Sequence, residues 1–457
     1  MILIDDSNDL KRSGHNFLGL LNDIKRRPED AAKELEIPLE EINSMIKGEK
    51  EIPLTLIKKA IKKWPLNSRD FFLIHDDCTS GVKIMRFEES EKSSRIMNRA
   101  GKPYYEYRDT AMSSVSLFRP EWIEELCFVE DNEAKNPKVQ WNNGHFMHQF
   151  TYFIGDVNYY YKDGNGEKRV FVTKTGDSVY GTPLRPHTFT TRKGAKKNGL
   201  ILALTYGNKI SADTQQELSA IGNELSLQYH LDFSTRKKAF ASLLKFNMEA
   251  ATITIEELSK RTGIKNDLIQ EYLEASSSIP DLIILSKISK ALSISVRELI
   301  PPDQIEQKVI PKKYEQGHKW FYPNETKSYE LIELVQSQNL PFSKTLEITI
   351  HENSNDELDL KLGLHQYVYN IGESKIRFNW KIGDKKFQEI INPNDSIYIK
   401  PFVNHSFRGK GKLMVLRIGG RMAGDAQREF SNLSKEDAER AINETQMWFD
   451  NNKKHQE

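Results

Sequence analysis

Three side chains have the types and spacing to hold a metal ion: His145 and Gln149 in NNGHFMHQF, and His187 in GTPLRPHTF. On a β-strand residues two apart share a face, so a strand opened by Asn142 points His145, Met147 and Gln149 one way and His148 the other. A second pair of strands turns at Gly176-Asp177 and, after Pro183 and Pro186, presents His187. If these strands close into a small barrel, their inward positions converge and His145, Gln149 and His187 form one triangular face. That set is close to the two-histidine, one-carboxylate triad of non-haem Fe(II) oxygenases, which leaves metal positions open for substrate and oxygen. A neutral amide stands in the carboxylate slot, and His148 is the competing third ligand. Nearby, RAGKPYYEYRDTA carries Arg99, Lys102, Tyr105 and Tyr107. With the amide of Asn142, these offer a guanidinium for bidentate contact and neutral donors for the other oxygens of a doubly charged tetrahedral head group. The competing structural readings are histidines hydrogen-bonded within a barrel, and a solvated basic edge on which tyrosines pack.

The elements that would position these residues occur twice. Residues 16–72 have apolar positions three and four apart, broken at Ile37-Pro38 and Gly48, and read as four or five short helices. Residues 239–300 repeat the plan, with Phe17, Leu20 and Leu21 answered by Phe240, Leu243 and Leu244. After each helical stretch the period changes to alternation between Gly, Asn and Asp turns, which means strands. HQFTYFIG is answered by HQYVYNIG, and GDSVYGTPLRPHTF by NDSIYIKPFVNHSF, in the same order. The expected fold is α+β, mainly β: a tandem repeat of a helix-turn-helix-like helical bundle followed by a cupin (double-stranded β-helix) barrel. The expected divisions are a bundle at 1–78, a catalytic cupin at 79–210, a second bundle at 211–305, a degenerate cupin at 306–424 and a helix with a frayed tail at 425–457. Linkers are expected near 76–86, 207–236 and 301–314.

Bulk properties narrow the class. A chain of 457 residues needs several cores, and 66 Lys and Arg against 65 Asp and Glu give no global attraction for a polyanion. Two cysteines, Cys78 and Cys127, exclude a disulfide framework and a thiolate zinc site, so any metal uses nitrogen and oxygen ligands. The start lacks a secretory leader pattern, and no run of eighteen apolar residues occurs, so a cytoplasmic protein without a membrane span is expected.

These residues resemble the phosphonate-oxidising branch of the cupins, which includes hydroxypropylphosphonate epoxidase, hydroxyethylphosphonate dioxygenase and methylphosphonate synthase. The resemblance covers the whole chain: the epoxidase is a single bundle and cupin, the other two are fused double units. Their phosphonate-binding arginine, two tyrosines and asparagine match Arg99, Tyr105, Tyr107 and Asn142, and a lysine that reaches the active site from a helical bundle matches Lys25. The resemblance implies that these five bind substrate, that Lys25 and Tyr107 take catalytic roles, and that His145, Gln149 and His187 hold Fe(II). The dioxygenase takes an acidic ligand six residues before its last histidine, where this chain has Gly181. The epoxidase has Glu four residues after its first histidine, where this chain has Gln149. The synthase is similar to this arrangement, with Gln in that slot. The resemblance therefore implies O2-dependent cleavage of the carbon-carbon bond of 2-hydroxyethylphosphonate, giving methylphosphonate and carbon dioxide or bicarbonate. That reaction needs no 2-oxoglutarate, flavin or nicotinamide, and no glycine-rich dinucleotide fingerprint is present. The alternative is the dioxygenase reaction, giving hydroxymethylphosphonate and formate. The expected partners are substrate and O2, with neither nucleic acid nor membrane, in a chain compatible with a homo-oligomer.

Aligned by its anchors, the second half puts Leu362 at the place of His145, Gln366 at Gln149 and His405 at His187, and answers Arg99 with Glu315 and Lys25 with Met248. A dianion would be repelled there, so one metal per chain and a structural second cupin are expected. A helix-turn-helix on a cupin is also the plan of small DNA-binding regulators. Its candidate recognition helices, in PLEEINSMIKG and IKNDLIQEYLEAS, carry Glu40, Glu41, Asp267, Glu271 and Glu274, which oppose phosphate. A cupin isomerase or sugar-phosphate binder would hold metal without consuming oxygen.

Overall fold

Six of the seven residues of the strand His148–Ile154 are buried, so both of its faces meet protein and each face has its own core. The computed structural model describes residues 7–443 except 117, 207–209, 211–212, 304–308, 339, 341 and 352–356. Gln149, Thr151 and Phe153 lie opposite Thr205, Ala203 and Ile201 and face the inside of a first barrel, whose core includes Tyr105, Ile123, Tyr159 and Phe189. His148, Phe150 and Tyr152 face the other way, into a layer shared with Tyr367, Tyr369, Tyr398 and Leu416 of a second barrel. The molecule is thus a mixture of helices and antiparallel sheets, with two barrels packed back to back.

The first barrel sets a seven-stranded sheet against a four-stranded one, and the second sets seven strands against three. The strand exchange between them was not expected. Val82–Met85, which comes after the first helical stretch, pairs antiparallel with Ser396–Ile399 of the second barrel. Val309–Lys312, which comes after the second helical stretch, pairs with Ser178–Gly181 of the first. Divisions at 79 and 306 therefore do not separate the sheets, and two of the expected linkers contain strands. Residues 207–236, expected as a linker, include the helix Asp213–Ile221. The exchange is locked symmetrically: the Ala111 amide donates to Ser396 Oγ at 2.8 Å, and the Val335 amide to Ser178 Oγ at 2.9 Å.

The first helical cluster packs Ser7–Asp23, Pro28–Leu35, Leu39–Ile46 and Leu54–Lys63 around Phe17, Leu21, Leu35 and Ile42. Gly14 lets its helix lie on the next, since a Cβ there would fall 2.3 Å from the Ile46 carbonyl oxygen. The second cluster packs Arg236–Ala250, Ile255–Thr262, Asn266–Leu273 and Leu282–Ala291 around Phe240, Leu244, Leu258 and Ile288. The turn after each first helix aligns them: Arg26 N bonds Leu21 O as Ile253 N bonds Met248 O, and Lys25 and Thr252 both have positive φ. Lys25 is thus answered by Thr252, not Met248. The sequence alignment slipped by one helical turn, which preserves the apolar face and so escapes notice. The helices Asp425–Ser431 and Lys435–Ile442 bury no residue, and the expected tail beyond 443 lies outside the described residues. No helix among the described residues is long and apolar enough to cross a membrane.

Candidate metal centre

His145 is not carried by a strand. Residues 142–147 form a loop that leads into His148–Ile154, and Gly144 permits its course. Gly144 has φ of +75°, and a Cβ there would lie 2.7 Å from the Leu184 backbone. The Leu184 amide then donates to the His145 carbonyl at 2.8 Å. Asn142 ties this loop to the last ligand candidate: its Oδ1 accepts from the amides of Gly144 (3.0 Å) and His187 (2.8 Å). Two segments that the sequence keeps far apart are thereby set against each other, with the His145 and His187 rings 5.2 Å apart and nearly perpendicular.

The hydrogen bonds fix what each ring presents. His145 Nδ1 lies 3.1 Å from the Met147 carbonyl and His187 Nδ1 lies 2.8 Å from the Arg185 carbonyl. A carbonyl can only accept, so each Nδ1 carries a proton, and a neutral ring then presents the lone pair of its Nε2. Gln149 donates from its amide nitrogen to Thr151 Oγ1 at 2.9 Å, which turns its Oε1 toward His145 Nε2, 2.8 Å away. With neutral rings, His145 Nε2, His187 Nε2 and Gln149 Oε1 are all available as neutral donors, a set that fits a divalent metal. Burial, chiefly, and the neighbouring His145 and Arg99 push His187 down to about 4, which keeps it a neutral ligand at pH 7. Among the described residues no group of three His, Cys, Asp or Glu could hold a metal, in keeping with an amide as third donor. His148 stands on the opposite face, bonded to the Tyr180 hydroxyl at 2.7 Å and stacked on that ring. Gly181 lies directly across the ladder from Gln149, so the position that could bring in an acid has no side chain.

Arg99 is anchored by one guanidinium nitrogen, which donates to the Gln140 carbonyl (2.7 Å) and Thr188 Oγ1 (3.1 Å), while the group lies over the rings of Tyr104 and Tyr105. Tyr105 differs from expectation. Its hydroxyl accepts from the Phe189 amide at 3.0 Å and bonds Thr188 Oγ1 at 2.8 Å, so it closes the barrel wall instead of presenting a phenol. Tyr329, at the same ladder position of the second barrel, accepts from the Phe407 amide at 3.1 Å. Tyr107 is half-buried on the same face as Tyr105, and no described residue hydrogen-bonds its hydroxyl. Lys102 is exposed. Lys25 is also exposed, at φ of 58°, and donates to the Asp23 carbonyl of its own turn at 2.6 Å. Sequence reasoning missed Thr151, Thr188 and Gln140; only Thr151 was signalled, two residues beyond Gln149 on its face.

A helix-turn-helix family model matches residues 244–299. The methylphosphonate synthase of Nitrosopumilus maritimus (strain SCM1) is 55% identical over 441 residues, which is 96% of this chain and 96% of that one. The chain belongs to the methylphosphonate synthase family. The structure of Streptomyces albus HEPD, described with its substrate 2-hydroxyethylphosphonate and Fe(II) bound, superposes with a TM-score of 0.88 at 34% identity, over 97% of this chain and 100% of that one. The 2-hydroxyethylphosphonate dioxygenase of Streptomyces viridochromogenes is 20% identical over 378 residues, 76% of this chain and 77% of that one.

Within this member of the methylphosphonate synthase family, the second barrel repeats the frame without the donors. Phe402 N bonds Leu362 O at 2.7 Å as Leu184 N bonds His145 O, so an isobutyl group stands at the place of His145. His405 Nδ1 bonds the Val403 carbonyl at 2.8 Å, as His187 does Arg185. Gln366 is turned over: its amide nitrogen faces His405 Nε2 at 3.4 Å, and its Oε1 accepts from Arg417 Nε at 3.2 Å. Arg417 stands across from Gln366 where Thr205 stands across from Gln149. The guanidinium supplies the positive charge that the amide oxygen needs, so no metal is called for. The expected answer of Glu315 to Arg99 does not hold either, since Glu315 lies in the short 3-10 turn Tyr314–Gln316, outside the equivalent strand.

Proposed function

We propose that the protein is an Fe(II)-dependent oxygenase that converts 2-hydroxyethylphosphonate and O2 to methylphosphonate, carbon dioxide and water. The observation that carries this reading is the convergence of His145 Nε2 and Gln149 Oε1, 2.8 Å apart, with the His187 ring alongside and both Nδ1 atoms held by carbonyls. Bound there, Fe(II) would activate O2 and bring it to the substrate. His145, Gln149 and His187 would hold the ion, the two Nδ1–carbonyl bonds fixing the ring orientations. Arg99, already anchored on one side by Gln140 and Thr188, offers its remaining N–H groups to the phosphonate dianion, and Tyr107 offers its hydroxyl. Asn142 acts mainly by orienting His187, since its Oδ1 is committed to backbone amides. Gln149 leaves the ligand set one negative charge short of a triad with Glu; Gly181 supplies none. Lys25 is read as substrate-binding and catalytic through the family resemblance.

We read the chain as a tandem duplication of a helix-turn-helix-like bundle followed by a cupin, supported by matched turns, ladders and hydrogen bonds in the two halves. The second barrel braces the first through their shared aromatic layer. A cytoplasmic location fits the two free cysteines. The acids Glu40, Glu41 and Asp267, in the first turns of Leu39–Ile46 and Asn266–Leu273, argue against a DNA-reading role.

The test is anaerobic loading with Fe(II), addition of 2-hydroxyethylphosphonate and O2, and phosphorus NMR of the products. A methylphosphonate resonance is expected; hydroxymethylphosphonate would make the enzyme a dioxygenase, and unchanged substrate would overturn the oxygenase reading.

A further inference from the structure

Glu125 is a buried acid of the first barrel that neither the metal ligands nor the head-group contacts use. It ends the strand Arg119–Glu125, is fully buried, and neither carboxylate oxygen has a hydrogen-bond partner among the described residues. A carboxyl buried in this way is strongly disfavoured, and structures seldom retain one without a use for it.

The second barrel provides the control. Glu125 stands across from Tyr105 on one side and Gly199 on the other. Ile350 stands across from Tyr329 and Gly411 in the same way. The two tyrosines make the same bond to a phenylalanine amide, so the local frame is shared and accepts an isoleucine. The acid is therefore needed by something that only the first barrel has.

What surrounds it there is the face assigned to the phosphonate. Arg99, from the strand Arg95–Arg99 on the far side of Lys102–Asp109, lies 4.6 Å from the Tyr105 ring centroid, and its charge favours an ionised Glu125. Glu124, on its own strand, opposes ionisation, while Tyr105 and Tyr107, from Lys102–Asp109, are neutral phenols kept protonated by burial and by the Glu125 charge, with Glu121 adding to the effect on Tyr107. Cys127 lies two residues further along the chain, and Thr191, from His187–Arg192, donates to the Glu125 backbone carbonyl at 2.7 Å.

Resting on the reading of Arg99 as the head-group cation, we propose that Glu125 is a positioning residue that acts through Arg99. Its carboxylate balances the guanidinium while the face is empty, and it takes up a proton when a phosphonate dianion arrives. Capture and protonation are then one event, and when product leaves, the proton leaves with it. The bond changes balance: one O–H forms on Glu125 from solvent as the dianion binds, and the same O–H breaks on release. Burial, the dominant influence, pushes the carboxyl well above the ordinary carboxylate range, which brings this exchange toward the pH at which the enzyme works. An isoleucine would leave Arg99 uncompensated and hold the product; an acid loosens it.

The experiment is calorimetric titration of the ferrous holoenzyme with methylphosphonate in the absence of O2, from neutral to alkaline pH, in two buffers of different ionisation enthalpy. Methylphosphonate's own ionisation is common to all variants, so the difference between variants isolates Glu125. The wild type is expected to take up more protons than Glu125→Gln, and the variant to bind methylphosphonate about tenfold more tightly at the alkaline end. Glu125→Ile, which copies Ile350, should behave like Glu125→Gln and guards against a defect peculiar to the amide. Equal proton uptake and equal affinity in all three proteins would overturn the role of Glu125 alone. Failure of the wild type to bind methylphosphonate, or binding unaffected by Arg99→Gln, would overturn the head-group reading and the proposal with it.

Discussion

The two barrels share a frame and differ at a handful of positions, and those positions separate the proposed metal site from a filled one. In the first, Gln149 donates to Thr151 and turns its oxygen to His145; in the second, Gln366 donates toward His405 and gives its oxygen to Arg417. The same amide oxygen thus faces a histidine nitrogen in one barrel and a built-in cation in the other. Histidine against leucine at 145 and 362, and threonine against arginine at 205 and 417, account for the difference. A histidine at this position is therefore no evidence of a metal: His405 makes a buried bond to the Val403 carbonyl.

The comparison is broken most directly by exchanging its terms. His187→Ala should lower iron affinity by more than about 100-fold, since even changes outside the ligands themselves reach that size. His405→Ala should leave the iron content, read by elemental analysis, unchanged, and lower the unfolding free energy by roughly 2 kcal/mol in denaturant titration. Equal iron loss in the two variants would mean that both barrels bind metal. Rebuilding is the converse: Leu362→His with Arg417→Thr should add a second metal site, visible as a doubled metal content, whereas either change alone should not. Arg99→Lys should raise KM for 2-hydroxyethylphosphonate by roughly tenfold or more, because an ammonium cannot keep the anchor to Gln140 and Thr188 and also meet a phosphonate oxygen pair. Arg417→Lys should leave KM alone.

Smaller effects sharpen the tyrosine pairs. Tyr105→Phe and Tyr329→Phe should each destabilise by about 1–2 kcal/mol, since each strands a buried amide. Tyr107→Phe should leave the melting temperature unchanged and raise KM. Smallest is a shared acid response. His148 and His365 occupy equivalent places, bonded to Tyr180 and Tyr398, and burial lowers each to about 4 from 6.5. A histidine lowered in the fold is less protonated there than in the unfolded chain, so its contribution is present above pH 6.5 and is lost as pH falls toward 4. Replacing either by glutamine should reduce the pH dependence of the melting temperature across that window by a similar amount.

The strand-forming anchors were legible because alternation at HQFTYFI and HQYVYNI has a period of two that no helix shares, and the same period placed His148 on the face opposite Gln149. The loop at 142–147 was not, because Gly144 and the Asn142 bonds act across the chain to Leu184 and His187. The helical alignment failed by one turn for the opposite reason: a helix repeats its apolar face every turn, so a slip leaves the pattern intact.

By itself the sequence determined the residue types of the proposed site, their order and the paired anchor strings that supply an internal control. Those arise from local periodicity and side-chain chemistry, which a chain carries wherever it folds. Tertiary structure alone decided that Val82–Met85 and Val309–Lys312 trade barrels, that Tyr105 closes a wall and that Arg417 fills the second site. Each is a pairing between segments distant in the chain, and such pairings are set by ladder register and burial, neither of which leaves a local mark.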